Sequence, residues 1–149
     1  MERTLVLLKP DSVQRRLIGS LIERFERKGL QIAGLKLVHA TRALAEKHYD
    51  VHRARPFFES LIQFLTGGPT VAVVLVGTNA VAVVRNLMGA TDGAKASPGT
   101  IRGDHAISIQ NNLVHGSDSV ENATLEIGIW FKSEELISYT STDHNWVIG

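Results

Sequence analysis

A run of aliphatic, mostly β-branched residues, TVAVVLVG at Thr70–Gly77, constrains the fold more than any other segment of the sequence. Turn-forming residues bound it, and a short continuous apolar run of this kind is typical of a strand buried on both faces. We therefore predict a fully buried central strand there. A second run, TLVLL at residues 4–8, predicts another buried strand, which ends at Lys9, Pro10 and Asp11 because these residues are unfavourable inside a strand.

Five segments show the apolar spacing or the end signals that are typical of helices. The clearest runs from Leu17 to Phe25, with charged residues on its other face and Gly29 as its C-terminal stop. The other four are expected after Thr41, after Pro56, after the cap Asn79 as far as Gly89, and from the cap Asp118 through Phe131.

The remaining segments predict two more strands and one long loop. The alternation in LQIAGLKLVHA predicts a strand with an irregularity at Gly34, and a last short strand is expected around Leu113 and Val114, with His115 following it. Between them, about residues 89–107 show no periodicity, and a loop this long in a compact domain usually serves a function. The order of elements predicts one α/β sandwich spanning residues 1–149.

Composition narrows the classes of function. The chain has 149 residues, no cysteine and a net charge of +1. Absent cysteine excludes disulfides, thiolate nucleophiles and cysteine-ligated metals, and the near-neutral charge gives no basic stripe for specific nucleic-acid binding. No segment approaches the roughly 20 apolar residues of a membrane span, and the apolar run near the N-terminus is too short for a signal peptide. We therefore expect a cytoplasmic protein with no membrane association.

The common nucleotide and metal signatures are absent. The sequence contains no GxxxxGK[ST] loop, no GxGxxG turn, no protein-kinase motifs and no HExxH pattern. His48 and His52 lie one helical turn apart in HYDVH, but no third ligand accompanies them at a suitable spacing. We interpret them as solvated helix histidines and predict no metal held by protein ligands alone.

Polar residues that could bind phosphate lie where the predicted elements end. They are Lys9, Arg85, Thr91 and Arg102. Each alone is more typical of a surface charge, but two guanidinium groups, an ammonium group and a hydroxyl could together bind a polyphosphate without a glycine-rich loop. Their convergence is a hypothesis, because the ends of elements are where a small domain collects a site.

His115 is open to two interpretations. A buried structural histidine is one, and a reactive histidine is the other. Gly116 favours the second by leaving room for a ligand, and the helix predicted just beyond would present its positive N-terminal end. Glu126 lies two turns into that helix and could fix the imidazole tautomer. A neutral imidazole held beside phosphate-binding cations could attack phosphorus.

Four motifs in this order, KPDSVQR, HYDVHRARPFF, SPGTIRGD and NLVHGSDSVE, resemble those of the nucleoside diphosphate kinase family over essentially the whole chain. The resemblance implies a ferredoxin-like α/β sandwich around a four-stranded antiparallel sheet. It also implies transfer of the terminal phosphate of a nucleoside triphosphate, mainly ATP, to nucleoside diphosphates by a ping-pong route through a phosphohistidine. Such an enzyme maintains nucleoside triphosphate pools. The alternative is a non-catalytic nucleotide-binding or regulatory module on the same fold.

The resemblance also implies a role for each site residue. His115 matches the phosphorylated histidine, and Glu126 and Ser117 match the groups that orient it. The phosphate ligands are matched by Lys9, Arg85, Thr91 and Arg102, with Tyr49 beside Lys9. Lys9 and Asn112 match the sugar-hydroxyl contacts, and Phe57 and Ile109 match the residues on the two faces of the base. Mg²⁺ is expected to be bridged mainly by the nucleotide's own phosphates.

Several positions depart from the family pattern. Ser12 stands where glycine is common, a surface-turn change that we expect to matter little. Gly93 replaces a proline, which predicts a more flexible loop and weaker subunit association. His105 replaces a residue that is commonly apolar or aromatic, and Asn111 replaces an arginine; both changes concern local packing and leave the named site intact. The tail YTSTDHNWVIG resembles hexameric rather than tetrameric members, although it ends in Gly149 instead of glutamate.

Overall fold

The computed structural model describes residues 1–149, which form a four-stranded antiparallel sheet with helices on both faces. The strands are β1 (Glu2–Leu8), β2 (Gln31–Val38), β3 (Thr70–Gly77) and β4 (Val114–Gly116). Their order across the sheet is β2-β3-β1-β4. The structure confirms the four-stranded antiparallel sheet, and it confirms that β3, the run of β-branched residues, is a central strand.

Eight helices surround the sheet. They are α1 (Pro10–Gln14), α2 (Ile18–Lys28), α3 (Arg42–His48), α4 (Phe58–Thr66), α5 (Ala80–Met88), α6 (Ile101–His105), α7 (Val120–Trp130) and α8 (His144–Val147). Short 3₁₀ turns occur at Asp50–His52 and Ser133–Glu135. No helix combines the length and the apolar character that crossing a bilayer would require.

Alternation along the strands divides the core into two layers, because successive side chains of a strand point to opposite faces. Val6 and Leu8 of β1 belong to the layer under α2 and α5, whereas Leu5 and Leu7 belong to the layer that includes residues of α3, α4 and α7. His115 pairs with Leu7 in the register of β1 and β4, so its side chain lies on the second face. This alternation decides which helices surround His115.

The predicted strand irregularity agrees with the structure, whereas two predicted helix caps do not. The irregularity at Gly34 is confirmed, because the pairing of β2 with β3 shifts register between Ile32 and Gly34. Asn79 does not cap α5: it has a φ of 52° and makes no capping bond with its side chain. The cap of α7 is Ser119, whose hydroxyl accepts from the Asn122 amide, and not Asp118.

Two other differences concern the site itself. The predicted loop of residues 89–107 contains α6, which Thr100 caps by accepting from the Gly103 amide, so Arg102 is held on a helix. His115 lies within β4 and does not follow the strand. The short helix α1 was not anticipated either, although Pro10 at its first turn is a common start signal.

Candidate active site

His115 and Glu126 form the centre of the site. Glu126, on α7, has its Oε1 3.0 Å from His115 Nε2 and accepts a 2.6 Å hydrogen bond from the hydroxyl of Ser117. The His115 side chain is 26% exposed, so one edge of the ring reaches solvent. Since a carboxylate only accepts, Nε2 carries the proton and the lone pair of a neutral His115 lies on Nδ1. The sequence suggested this pairing, and the structure places the three side chains together.

The Glu126 carboxylate stays ionised. Burial alone would raise its pKa, but the hydrogen bond and charge of His115 and the hydrogen bond from Ser117 outweigh that effect and lower the pKa below its ordinary value. An ionised Glu126 can therefore hold the Nε2 proton at neutral pH and stabilise positive charge that develops on the ring.

His48 packs against His115, which was not predicted. Its ring centroid lies 4.6 Å from that of His115 at an interplanar angle of 85°, and Trp130 Nε1 donates a 3.1 Å hydrogen bond to His48 Nδ1. The interpretation of His48 as a solvated histidine is wrong, because it is buried at 7% exposure. Burial, followed by the charge of His115, lowers the pKa of His48 to about 3, so its ring is neutral.

His48, His115 and Glu126 are also the one group of three potential metal ligands, with ligand atoms within 4.8 Å of one another. Their hydrogen bonds do not suit a metal. Trp130 donates to Nδ1 of His48, so the proton of the neutral ring is on Nε2 and neither nitrogen offers a free lone pair. Glu126 is likewise engaged by His115 and Ser117. The trio fits a hydrogen-bonded histidine site and not a cation site.

Lys9 is a buried cation joined to two other predicted residues. Its Nζ donates a 2.5 Å hydrogen bond to Asn112 Oδ1, and Asn112 Nδ2 donates to the backbone oxygen of Thr91 at 2.9 Å. Burial lowers the pKa of Lys9 to about 8; the charge of Asp11 opposes this effect and that of Arg102 adds to it. Lys9 thus lies within electrostatic reach of Arg102.

Arg102 is also buried, at 6% exposure, and supports the backbone around the site. Its guanidinium donates to the carbonyl oxygens of Asn112, Gly89 and Val114 at 3.2, 3.1 and 2.6 Å. Burial and then the charge of Arg85 lower the pKa of Arg102 to about 10. Three of its five N–H groups are used, so two remain for a ligand.

A cavity of about 410 Å³ lies beside His115 and Glu126 and opens to solvent. Four predicted site residues line it, namely Tyr49, Arg85, His115 and Glu126. His52 also lines it and lies 5.4 Å, centroid to centroid, from Phe57, which is 46% exposed beyond the cavity. Ile109 is 62% exposed on the segment after α6. Of the predicted phosphate ligands, the structure therefore brings only Arg85 to the lining of this cavity. Lys9 and Arg102 are bonded to Asn112 in a separate buried group, whereas the side chains of Thr91, Phe57 and Ile109 are exposed.

Gly116 contributes both to core packing and to the cavity. A Cβ at this position would lie 2.6 Å from Met88 Sδ and 3.0 Å from Val84 Cγ1, both on α5. Because side chains alternate along β4, this position faces α5 while His115 faces α7. The missing side chain therefore allows α5 to pack closely against β4, while Gly116 also borders the cavity beside His115.

The expectation that Ser12 is a surface-turn residue is wrong. Its side chain is 0% exposed, and its hydroxyl donates a 2.7 Å hydrogen bond to the carbonyl oxygen of Leu113. A serine here therefore connects α1 to the segment that precedes His115.

Gly93 packs tightly in the segment before α6. Its N–H donates to the Ser108 carbonyl at 3.2 Å, and a Cβ would lie 2.6 Å from the carbonyl carbon of Ala106. The glycine thus permits close packing against Ala106. Its effect on loop flexibility and subunit association stays a prediction.

Comparison with known proteins agrees with this geometry. The profile of the family described as "Nucleoside diphosphate kinase" matches residues 2–136. The chain is 54% identical to the nucleoside diphosphate kinase of Trichodesmium erythraeum over 148 residues, 99% of each chain. It is 50% identical to that of Thermomicrobium roseum over 149 residues, 100% of each. A halophilic nucleoside diphosphate kinase from Halobacterium salinarum, solved in complex with CDP, has a TM-score of 0.97 at 44% identity, with 99% of both chains covered.

The fold and the site define a ferredoxin-like α/β enzyme in which a histidine of fixed tautomer lies beside buried cations, a class suited to phosphoryl transfer. The chain belongs to the nucleoside diphosphate kinase family, whose members transfer phosphate between nucleotides.

Proposed function

We propose that this protein transfers the terminal phosphate of nucleoside triphosphates, mainly ATP, to nucleoside diphosphates through a phosphohistidine at His115. The observation that carries the proposal is the contact between His115 Nε2 and Glu126 Oε1 at 3.0 Å. It directs the free lone pair to Nδ1 on a ring that borders an open cavity. Nδ1 is therefore the nucleophile.

The reaction consists of two matched displacements. The Nδ1 lone pair forms a bond to the γ-phosphorus as the bond to the β-γ bridging oxygen breaks, and the diphosphate leaves with that electron pair. A second diphosphate then attacks the phosphohistidine and regenerates neutral His115. The Nε2 proton stays in place throughout, since Glu126 holds it and stabilises the positive charge on the ring. Ser117 fixes the carboxylate.

The cations provide the charge that phosphoryl transfer requires. Arg85 borders the cavity, and the electrostatic coupling of Arg102 with both Arg85 and Lys9 supports one continuous positive region. Lys9, Arg85, Thr91 and Arg102 bind the phosphates in this proposal, with Tyr49 beside them. Lys9 and Asn112, already joined by a hydrogen bond, contact the sugar hydroxyls.

Phe57 and Ile109 bind the base in this proposal. Their exposure leaves flat apolar surface without a polar readout, so both purines and pyrimidines are accepted. The breadth of nucleotide specificity follows from stacking alone.

The reaction of this family uses a divalent metal, and we propose Mg²⁺. Magnesium prefers oxygen ligands, whereas the one ligand cluster here is rich in imidazole and already engaged. The residues therefore fit a metal carried by the nucleotide's own phosphates. When bound, it neutralises charge on those phosphates.

We further propose that residues 1–149 are one catalytic domain acting in the cytoplasm, and that the chain assembles as a homohexamer. Exposed apolar side chains support self-association, including Leu37 at 66%, Ile107 at 89% and Trp146 at 91%. Light scattering tests this: a hexamer mass is expected, and a tetramer or monomer mass would contradict it.

The test of the catalytic proposal uses γ-labelled ATP followed by GDP. We expect an acid-labile phosphoprotein whose label moves quantitatively to GTP. His115→Ala should remove labelling while nucleotide binding persists. Binding without any phosphoprotein would indicate a non-catalytic module, and labelling retained in His115→Ala would identify another nucleophile.

A further inference from the structure

Leu113, two residues before His115, has an unusual backbone conformation. Its φ is +75°, a value that residues other than glycine rarely adopt, yet its side chain is fully buried. The Val114 amide donates to the carbonyl oxygen of Asn112 at 2.9 Å, so Leu113 is the central residue of a tight three-residue turn. A γ-turn with positive φ is rare and strained, and it persists only when surrounding contacts hold it.

Residues 9–12 supply those contacts. The Leu113 amide donates to Asp11 Oδ2 at 3.0 Å, and the Leu113 carbonyl accepts from the Lys9 amide at 2.9 Å and from the Ser12 hydroxyl at 2.7 Å. Both lone pairs of that carbonyl are thereby filled. The start of α1 thus holds the turn by three hydrogen bonds.

The turn joins two parts of the site, and Arg102 donates to the carbonyl oxygens on either side of it, those of Asn112 and Val114. On one side, Asn112 is bonded to Lys9 Nζ and to the Thr91 carbonyl. On the other, His115 is anchored by Glu126 and by its pairing within the sheet. The conformation of Leu113 therefore sets the distance between the groups that would bind the sugar and the histidine that would attack phosphorus.

We propose that Ser12 is a positioning residue for the phosphoryl transfer, because its buried hydroxyl locks the Leu113 turn and so fixes Asn112 relative to His115. Glycine at this position could not make this bond. The proposal rests on the proposed role of His115. Ser12 acts through Leu113 and does not touch the substrate.

The experiment compares two phosphoryl donors in Ser12→Ala, Ser12→Gly and a control, Ser20→Ala, which changes an exposed serine on α2. ATP requires alignment of a nucleotide with His115. Phosphoramidate needs only the histidine: Nδ1 attacks its phosphorus and ammonia leaves. The maximal labelling rate at saturating donor, written kcat below, is measured well below the melting temperature of each variant, which is recorded separately.

Loss of one hydrogen bond, with the Lys9 amide still bound to the Leu113 carbonyl, should lower kcat with ATP roughly two- to tenfold in both Ser12 variants. The phosphoramidate rate and the Ser20→Ala control should match the wild type. An unchanged kcat with ATP, with or without a lower melting temperature, would overturn the proposal, as would equal slowing with both donors. Should Ser12→Ala fail to fold, Ser12→Gly decides. A wild-type protein labelled by neither donor would instead refute the role of His115.

Discussion

His48 gives the sharpest test of the electrostatics around His115. The ring is buried and accepts a hydrogen bond from Trp130, so it remains neutral in the folded protein. In the unfolded chain it is free to take up a proton. His48→Gln removes the titratable ring and keeps an amide oxygen that can accept from the indole.

The magnitude follows from the two pKa values of His48. Folding lowers the pKa from 6.5 to about 3, mainly through burial. A histidine with a lowered folded pKa contributes no pH dependence above 6.5, because both states are then neutral. As pH falls below 6.5 the unfolded chain gains a proton that the folded ring refuses, so stability is lost until about pH 3. Between about pH 7.5 and about pH 5 the loss amounts to about 2 kcal/mol.

Urea unfolding followed by circular dichroism at about pH 7.5 and about pH 5 measures this loss. Protomer concentration is held fixed, because self-association adds to apparent stability. We expect the free energy of unfolding of the wild type to fall by about 2 kcal/mol more than that of His48→Gln. His39→Gln, which changes an exposed histidine, should behave as the wild type. Parallel pH dependence in the wild type and His48→Gln would refute the reasoning.

Three further outcomes are expected. Since the pKa of Lys9 is lowered to about 8, isothermal titration should find nucleoside diphosphate binding weakening as pH rises through about 8, and Lys9→Arg should lack this decline; a pH-independent affinity would contradict it. Phe57→Ala should raise KM roughly 5- to 150-fold for purine and pyrimidine nucleotides alike, since base stacking contributes about 1–3 kcal/mol; a loss confined to one class would indicate a polar readout. Gly93→Ala places a Cβ 2.6 Å from Ala106 backbone. It should lower the free energy of unfolding by about 1–3 kcal/mol in urea, whereas Gly19→Ala, in open space on α2, should not.

The fold was predictable because its signals are local. The β-branched run at Thr70–Gly77 became a central strand, and the apolar stripe ending at Gly29 became α2. Cap residues were less reliable: Asn79 adopts a left-handed conformation in place of capping, and Ser119 caps α7 one residue beyond Asp118. Several polar residues lie near each helix start, and sequence alone does not decide which hydroxyl or carboxylate reaches the free amide.

Contacts within the site were predictable where the residues are close in sequence, and not where they depend on the packing of distant elements. Glu126 lies on α7, the helix that directly follows the strand of His115, so the contact between the two side chains could be predicted from their spacing in the sequence. His48 reaches His115 only because α3 packs across the same face of the sheet, and Trp130 then fixes its tautomer from 82 positions away. The motif HYDVH contains no signal for that contact, and its pattern alone is typical of an exposed helix histidine.

The two buried cations, Lys9 and Arg102, make this region electrostatically suited to an anion. Lys9 and Arg102 have lowered pKa values because burial removes water from their charges and because each also lies near another cation. The groups that accept their hydrogen bonds are neutral: the Asn112 side chain for Lys9, and backbone carbonyls for Arg102. Neither cation forms a salt bridge. A bound polyphosphate would supply the missing negative charge, raise the pKa of Lys9 and draw a proton from solvent above about pH 8. The same burial that weakens these cations in the free protein makes their interaction with phosphate stronger than it would be at the surface.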